Sequence, residues 1–212
     1  MPPSVDRLTL MQWLSPAFPV GSYAYSQGLE QAITDGHVHD AASLTDWITA
    51  VLTHGSARID AILLAHSRIQ SRTQDLADLA YAFAGSAERA TEMRDQGAAF
   101  GQTVAAMTGQ AQPPLPYALA VAHASRSLDL PTEEILALFL QALAAQLISA
   151  AVRFVPLGAT QGQTVLAALA PLIIRAATTC ATAPLTALTS ATFGADLAQM
   201  RHETLPVRIY RS

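Results

Sequence analysis

The run Ser86-Ala87-Glu88-Arg89-Ala90-Thr91-Glu92-Met93-Arg94-Asp95-Gln96-Gly97-Ala98-Ala99-Phe100-Gly101-Gln102-Thr103-Val104-Ala105-Ala106-Met107 reads as helix from end to end. Ala90, Met93, Gly97, Phe100, Val104 and Met107 recur every three or four residues, which places them on one face of a helix. Glu88, Glu92 and Asp95 fall on the other side and predict a solvated face. Ser86 offers a side-chain oxygen to the unpaired N–H groups of the first turn. Gly97 and Gly101, four apart, predict close approach by a neighbouring helix. Arg89 and Arg94 are candidates for ion pairs or for an interface.

The same grammar extends outward in both directions. Ser4 is placed to cap a first helix carrying Val5, Leu8, Met11 and Trp13–Leu14, which must stop ahead of Pro16. Ser43-Leu44-Thr45-Asp46 resembles a capping box, and Leu44, Trp47, Ile48, Val51 and Leu52 follow it at helical spacing. Ile59, Ile62, Leu63, His66 and Ile69 form a further stripe, and Thr73 starts another through Leu76, Leu79, Ala80 and Phe83. Pro113-Pro114-Leu115-Pro116 is the clearest break and reads as a loop within one bundle. Helices follow from Tyr117 and from Pro131, and a last one is expected over Leu185–Met200. The fold class is all-α: one compact bundle of about nine or ten helices over 1–212, with a flexible basic-aromatic tail at about 203–212.

Composition agrees. The 212 residues are 51% hydrophobic but only 13% charged, roughly half the usual charged share. With 6% aromatics, the core must be built from Leu, Ile, Val and Ala, which suits packed helices. All basic side chains are arginine, and the net charge of −4 argues against nucleic acid or an acidic membrane as partner. The single cysteine, Cys180, cannot form an internal disulfide. No basic region precedes an apolar core near Asp6, so the expected location is cytoplasmic. From Ile135 to Val152 no residue is charged; the run is near spanning length, but Gln141, Gln146 and Ser149 interrupt it and favour a buried helix over a membrane span. Helices this apolar need cover on every side, which predicts contact with another protein chain.

One stretch is not generic helix: Ser15-Pro16-Ala17-Phe18-Pro19-Val20-Gly21-Ser22-Tyr23-Ala24-Tyr25-Ser26-Gln27-Gly28-Leu29-Glu30. Its prolines stiffen an extended backbone, Gly21 allows a turn, and Ser26 is placed to cap a short helix ending at Gly36. His37 and His39 follow in a solvated turn without a third ligand nearby. This stretch, the turn Arg153-Phe154-Val155-Pro156-Leu157-Gly158-Ala159-Thr160-Gln161-Gly162-Gln163 and the terminus Arg208-Ile209-Tyr210-Arg211-Ser212 together resemble the UreF family of urease accessory proteins, in order and spacing. Ala159 stands where that family often has glutamine, and Tyr23 and Tyr210 replace common phenylalanines.

The resemblance implies an all-α co-chaperone that dimerises, joins UreD (UreH in some species) and the GTPase UreG, and through them serves nickel delivery to the urease apoprotein. It implies no catalytic residue, metal ligand or cofactor of its own. Partner contacts are expected from Tyr23, Tyr25, Ser26, Gly28, Glu30, Arg153, Arg208, Tyr210, Arg211 and Ser212, with the tail arginines folding back onto Tyr23 and Tyr25. The residues themselves hold no Walker loop, G-x-S-x-G elbow or H-E-x-x-H helix. An all-α enzyme assembled from distant groups such as His66, Asp60 and Glu92, and a helical adaptor unrelated to nickel, remain as alternatives.

Overall fold

A computed structural model describes residues 4–69 and 73–212, and the expected single unit also takes in residues 1–3 and 70–72, which lie outside the described residues. Among the described residues there are ten α-helices and no strand: α1 Val5–Trp13, α2 Leu29–Thr34, α3 Ala41–His54, α4 Ser56–Ile69, α5 Thr73–Ala82, α6 Ala87–Thr108, α7 Tyr117–Ala124, α8 Thr132–Ala151, α9 Ala159–Thr182 and α10 Phe193–His202. Three short 3-10 turns, at Ser22–Ala24, Ser125–Ser127 and Leu185–Ala187, complete the helical structure.

The centre is α4. Ala57, Ile59, Ala61, Ile62, Leu63, Leu64 and Ala65 are all buried, because α3, α7, α8 and α9 pack around it. The α8 helix, with acidic Glu133 and Glu134 in its first turn, packs on α9. By length and composition these two helices are apolar enough to cross a membrane. The α9 helix is nevertheless not enclosed: Val165, Leu169, Ile173 and Ala177 face inward while Ala167, Ala168, Pro171 and Ile174 lie exposed. Within the chain, α4 is nearly enclosed, whereas α9 keeps an uncovered apolar side of the kind expected to meet another protein chain.

Several boundaries differ from those expected, for local reasons. Asp40, not Ser43, caps α3, accepting the Ser43 N–H at 2.8 Å while Ser43 Oγ accepts the Asp40 N–H at 3.0 Å. The expected helix over Leu185–Met200 is instead a 3-10 turn, a break and α10. Ser190 Oγ donates to Asp196 at 2.6 Å and Ala191 N–H donates to the His54 carbonyl at 2.9 Å, so short polar side chains and a tertiary bond hold the segment out of helix. On α1, Leu10 and Trp13 turn inward while Val5, Leu8 and Met11 stay 79%, 62% and 52% exposed. Ile69 and Met107, at the far ends of α4 and α6, are also exposed.

The neighbour admitted by Gly97 is the proline-rich segment together with the start of α7. A Cβ there would lie 2.0 Å from the Leu115 carbonyl oxygen, and one at Gly101 would touch Gln112 at 3.3 Å. The proline-rich segment thus crosses α6 in extended form, burying Leu115, and delivers the chain into α7. It joins α6 to α7.

Candidate functional site

The Ser15–Glu30 loop is fixed from below by aromatic packing. Phe18 and Val20 are buried, and Phe18 meets the Phe100 ring at 5.5 Å. Phe100 also contacts Trp13 and Tyr117, edge-on, at 6.0 and 5.8 Å. The stiff Pro-x-x-Pro backbone therefore holds an anchor in the core. Gly21, with φ of 71°, turns the chain into the Ser22–Ala24 turn. Tyr23 emerges 71% exposed, while Tyr25 is only 3% exposed.

Beyond Tyr25 the loop turns into the bundle. Gln27 holds a φ of 54° and Gly28 one of 79°, so two successive left-handed residues bend the backbone into α2. Glycine is required at 28 twice over: by that φ, and because a Cβ would lie 2.7 Å from the Gln199 backbone nitrogen of α10. Gly28 is thus the cap residue of α2; Ser26, expected in that role, instead accepts the Glu30 N–H at 3.3 Å with its hydroxyl.

The segment 203–212 lies along this loop. Arg211 N–H donates to the Ala24 carbonyl at 2.7 Å, and Ser26 N–H donates to the Ser212 carbonyl at 2.7 Å. The Ser26 hydroxyl donates to the same carbonyl. Glu30 accepts the N–H groups of Ile209 and Tyr210 at 2.8 and 3.0 Å. Its Oε2 also meets His202 Nε2 at 3.0 Å, and His202 Nδ1 meets Glu88 at 2.7 Å. Arg208 pairs with Glu88 as well. Tyr210 is buried against Phe154, ring centres 5.6 Å apart. The Arg153 guanidinium sits 5.9 Å over the Tyr210 ring and donates to its hydroxyl at 3.3 Å. Three segments far apart in sequence, at 15–30, 153–158 and 208–212, therefore form one site.

Beneath it lies a buried polar cluster. Arg89 bridges Asp60 and Glu92, the latter at 3.0 Å. Glu92 also accepts from Gln27 at 2.9 Å, Gln96 at 3.1 Å and the Ser212 hydroxyl at 3.3 Å. The expectation of a solvated acidic face on α6 fails here: Glu92 is 0% exposed, and its charge is tolerated because every oxygen is paired. Burial pushes the Asp60 carboxyl up, against the pull of Arg89. Burial opposes the charge on Arg89, but Asp60 and Glu92 outweigh it and hold the guanidinium above its ordinary range. Asp60, Arg89, Gln27 and Gln96 line a cavity of about 30 Å³, the scale of one or two water molecules. His66 does not join them; its Nε2 lies 2.9 Å from the Ala183 carbonyl.

The ten residues expected at a partner surface divide cleanly. Tyr25, Ser26, Gly28, Glu30, Tyr210 and Ser212 are buried, whereas Tyr23, Arg153, Arg208 and Arg211 are exposed. Arg208 turns to Glu88 rather than to the tyrosines, and Arg211 hydrogen-bonds the Tyr25 side chain. Burial pushes the Tyr25 phenol up, with the Arg211 bond as a partial offset. Tyr23, Tyr25, Arg153 and Tyr210 line a cleft of about 100 Å³ floored by α8 residues such as Ala142 and Gln146. The sequence reading missed the roles of His202 and Glu88, while Arg89 makes the ion pairs expected of it; the Glu88, Arg89, Glu92, Gln96 series carried a signal, being spaced three and four apart. The His37–Val38–His39 turn buries Val38 and leaves both imidazoles exposed, with His39 Nδ1 at 3.1 Å from the Gly36 carbonyl. Among the described residues no group of three or more His, Cys, Asp or Glu side chains is placed to hold a metal.

The UreF family model matches residues 38–170. A protein of Cereibacter sphaeroides strain KD131, named urease accessory protein UreF, is 57% identical over 209 residues, covering 99% of this chain and 100% of its own length. The chain belongs to the UreF family. Relatives of the same name in Paracoccus denitrificans (49% identical, 99% of this chain and 98% of theirs) and Dinoroseobacter shibae (48%, 97% and 98%) extend over the same length. In UreF terms, the matched 38–170 core supplies α3 to α8 and the start of α9. The composite site adds to that core the loop before it and the segment after it.

Proposed function

We propose that this UreF-family chain is an accessory protein of urease maturation, a cytoplasmic adaptor that joins UreD (UreH) and the GTPase UreG during nickel incorporation into the urease apoprotein. It performs no nucleotide or metal chemistry itself; it positions the partner that does and couples GTP hydrolysis to metal delivery. The observation that carries the reading is the convergence of three segments on one cleft, with Tyr23 and Arg153 lining it and Arg208 and Arg211 exposed on the docked tail. A rigid loop and a docked tail, each held by buried polar bonds, present these side chains at low entropic cost. The outward side of α9, with Ala167, Ala168, Pro171 and Ile174 uncovered, supports a second contact, with UreD or with a second copy of this chain.

Cutting the chain after Pro206 is a poor test, because it removes the buried Tyr210 and Ser212 and strands Glu30 and Glu92. The double change Tyr23→Ala with Arg211→Ala touches mainly exposed atoms. It should leave the thermal melt close to that of the parent and abolish co-purification of UreG with UreD and this chain. In cells it should lower urease activity, with partial rescue by added nickel. Undiminished three-way assembly by a folded double variant refutes the adaptor surface.

A further inference from the structure

We propose that the cleft between α3, the start of α4 and α9 binds a small organic anion: a carboxylate or phosphate carried on a short apolar body. The cleft shares no residue with the one at the loop and tail, and the proposal stands whichever partners that site serves. It measures about 310 Å³, within the range of small-molecule pockets. Leu52 of α3 and Leu172, Ala176 and Cys180 of α9 give it an apolar wall. Arg58 of α4 and Arg175 of α9 supply its charge, and no Asp or Glu lines it.

The two arginines select an anion. Among the described residues Arg7, Arg89, Arg94, Arg201 and Arg208 pair with carboxylates, and neither Arg58 nor Arg175 does. Arg58 is half-buried, and its Nη1 donates to the Ala187 carbonyl at 2.7 Å. That bond steadies the guanidinium, but a neutral carbonyl leaves its charge uncompensated. The other N–H groups of the fork suit two oxygens of one anion. Arg175 lines the same cleft from α9 and is exposed. The hydroxyls of Thr53 and Thr179, also in the lining, have spent their protons on their own helices. They donate to the Thr49 and Arg175 carbonyls at 2.6 and 2.9 Å. The strong donors left to a ligand are therefore the two arginines, and an anion is the group they lack. The wall sets the other half of the ligand: a bare ion leaves Leu52, Leu172 and Ala176 wet, whereas an alkyl chain covers them. Cys180, the single cysteine of the sequence and 2% exposed, is a built-in reporter of that cover.

The test uses the full chain without partners and four probes: hexanoate, hexyl phosphate, hexanamide and inorganic phosphate. Backbone amide shifts are followed by NMR, and alkylation of Cys180 by mass spectrometry. Hexanoate, hexyl phosphate or both should saturate the shifts of residues 52–58 and 172–180 and slow the alkylation; the tighter of the two names the head group. Hexanamide and inorganic phosphate should bind about tenfold more weakly or worse. Arg175→Gln, a change at an exposed side chain, should keep the parent's melt and weaken the tighter probe about tenfold. Hexanamide binding as tightly as hexanoate reduces the cleft to an apolar patch and overturns the proposal. Inorganic phosphate binding as tightly as the tailed anions means an adventitious ion only, and overturns it too. So do shifts that rise without saturating, or a folded Arg175→Gln that binds like the parent. The comparison among the four probes needs no variant, so the outcome does not hang on Arg175→Gln folding.

Discussion

Glu30 Oε2 lies 3.0 Å from Nε2 of His202, a residue 172 positions further along the chain, and the same carboxylate receives the Ile209 and Tyr210 N–H groups. One side chain at the start of the fold therefore positions its last segment. Glu30→Ala leaves the Nε2 side of a buried imidazole and two backbone donors without their partner. The expected loss is about 3 kcal/mol of unfolding free energy, read from urea denaturation. Glu30→Gln keeps a carbonyl acceptor and should lose less. In both variants the exchange of the 209 and 210 amides should accelerate before that of the α4 core.

Arg89→Ala tests the cluster below. It leaves Asp60 and Glu92 buried without their cation, at an expected cost of about 4 kcal/mol near neutral pH. Burial already pushes the Asp60 carboxyl up, and Arg89 is what opposes that shift. In the variant the folded state takes up a proton more readily than the unfolded chain. Its stability deficit should therefore shrink as pH falls through the raised folded pKa, the reverse of an ordinary carboxylate ion pair. Urea midpoints of both proteins from neutral to mildly acidic pH measure this; a deficit that widens on acidification contradicts it.

Two glycines should respond with opposite signs. At Gly97 a Cβ meets the Leu115 carbonyl oxygen at 2.0 Å, backbone that cannot swing aside. Gly97→Ala should cost about 3 kcal/mol and loosen the proline segment. Gly194, in the first turn of α10, has nothing within 4 Å of the added carbon and no positive φ. Gly194→Ala should raise stability by about 0.5 kcal/mol. Thermal melts of the two variants decide both signs.

The all-α class and most of the helix faces were legible because spacing of Leu, Ile, Val and Ala reports directly which side is buried. The break ahead of the last helix was not. Thr192 and Ser190 stop the last helix through bonds to Asp196 and packing on Gly55, where an added Cβ would meet Thr192 at 2.8 Å. Such tertiary contacts leave no local pattern. Polarity misled at Glu92 for the same reason: its partners Gln27, Arg89, Gln96 and Ser212 are gathered from the loop, its own helix and the tail. The convergence of the loop and tail was expected from their chemistry, but through arginine on tyrosine. The fold achieves it mainly through backbone N–H groups on a glutamate, which any residue types at 209 and 210 could supply, proline apart.

Arg153 offers the sharpest separation of structure from recognition. Its guanidinium lies 5.9 Å over the Tyr210 ring and reaches the hydroxyl at 3.3 Å, yet the side chain is at the rim and exposed. Contacts of this exposed kind contribute about 0.5–1 kcal/mol, so Arg153→Ala should lower the melt only slightly. Burial pushes the Tyr210 phenol up, and Arg153 pulls it back; removing Arg153 should move tyrosinate formation to higher pH, seen in ultraviolet titration. A phenol raised in the folded state contributes stability that is present below its unfolded pKa and lost as pH climbs through the folded one. The variant should therefore lose stability more steeply in alkali than the parent. If Arg153 also faces a partner, assembly with UreD and UreG must fall far more than so small a change in the folded fraction can account for, since domains of this size hold about 5–15 kcal/mol in reserve. Assembly that declines only in step with the melt confines Arg153 to holding Tyr210.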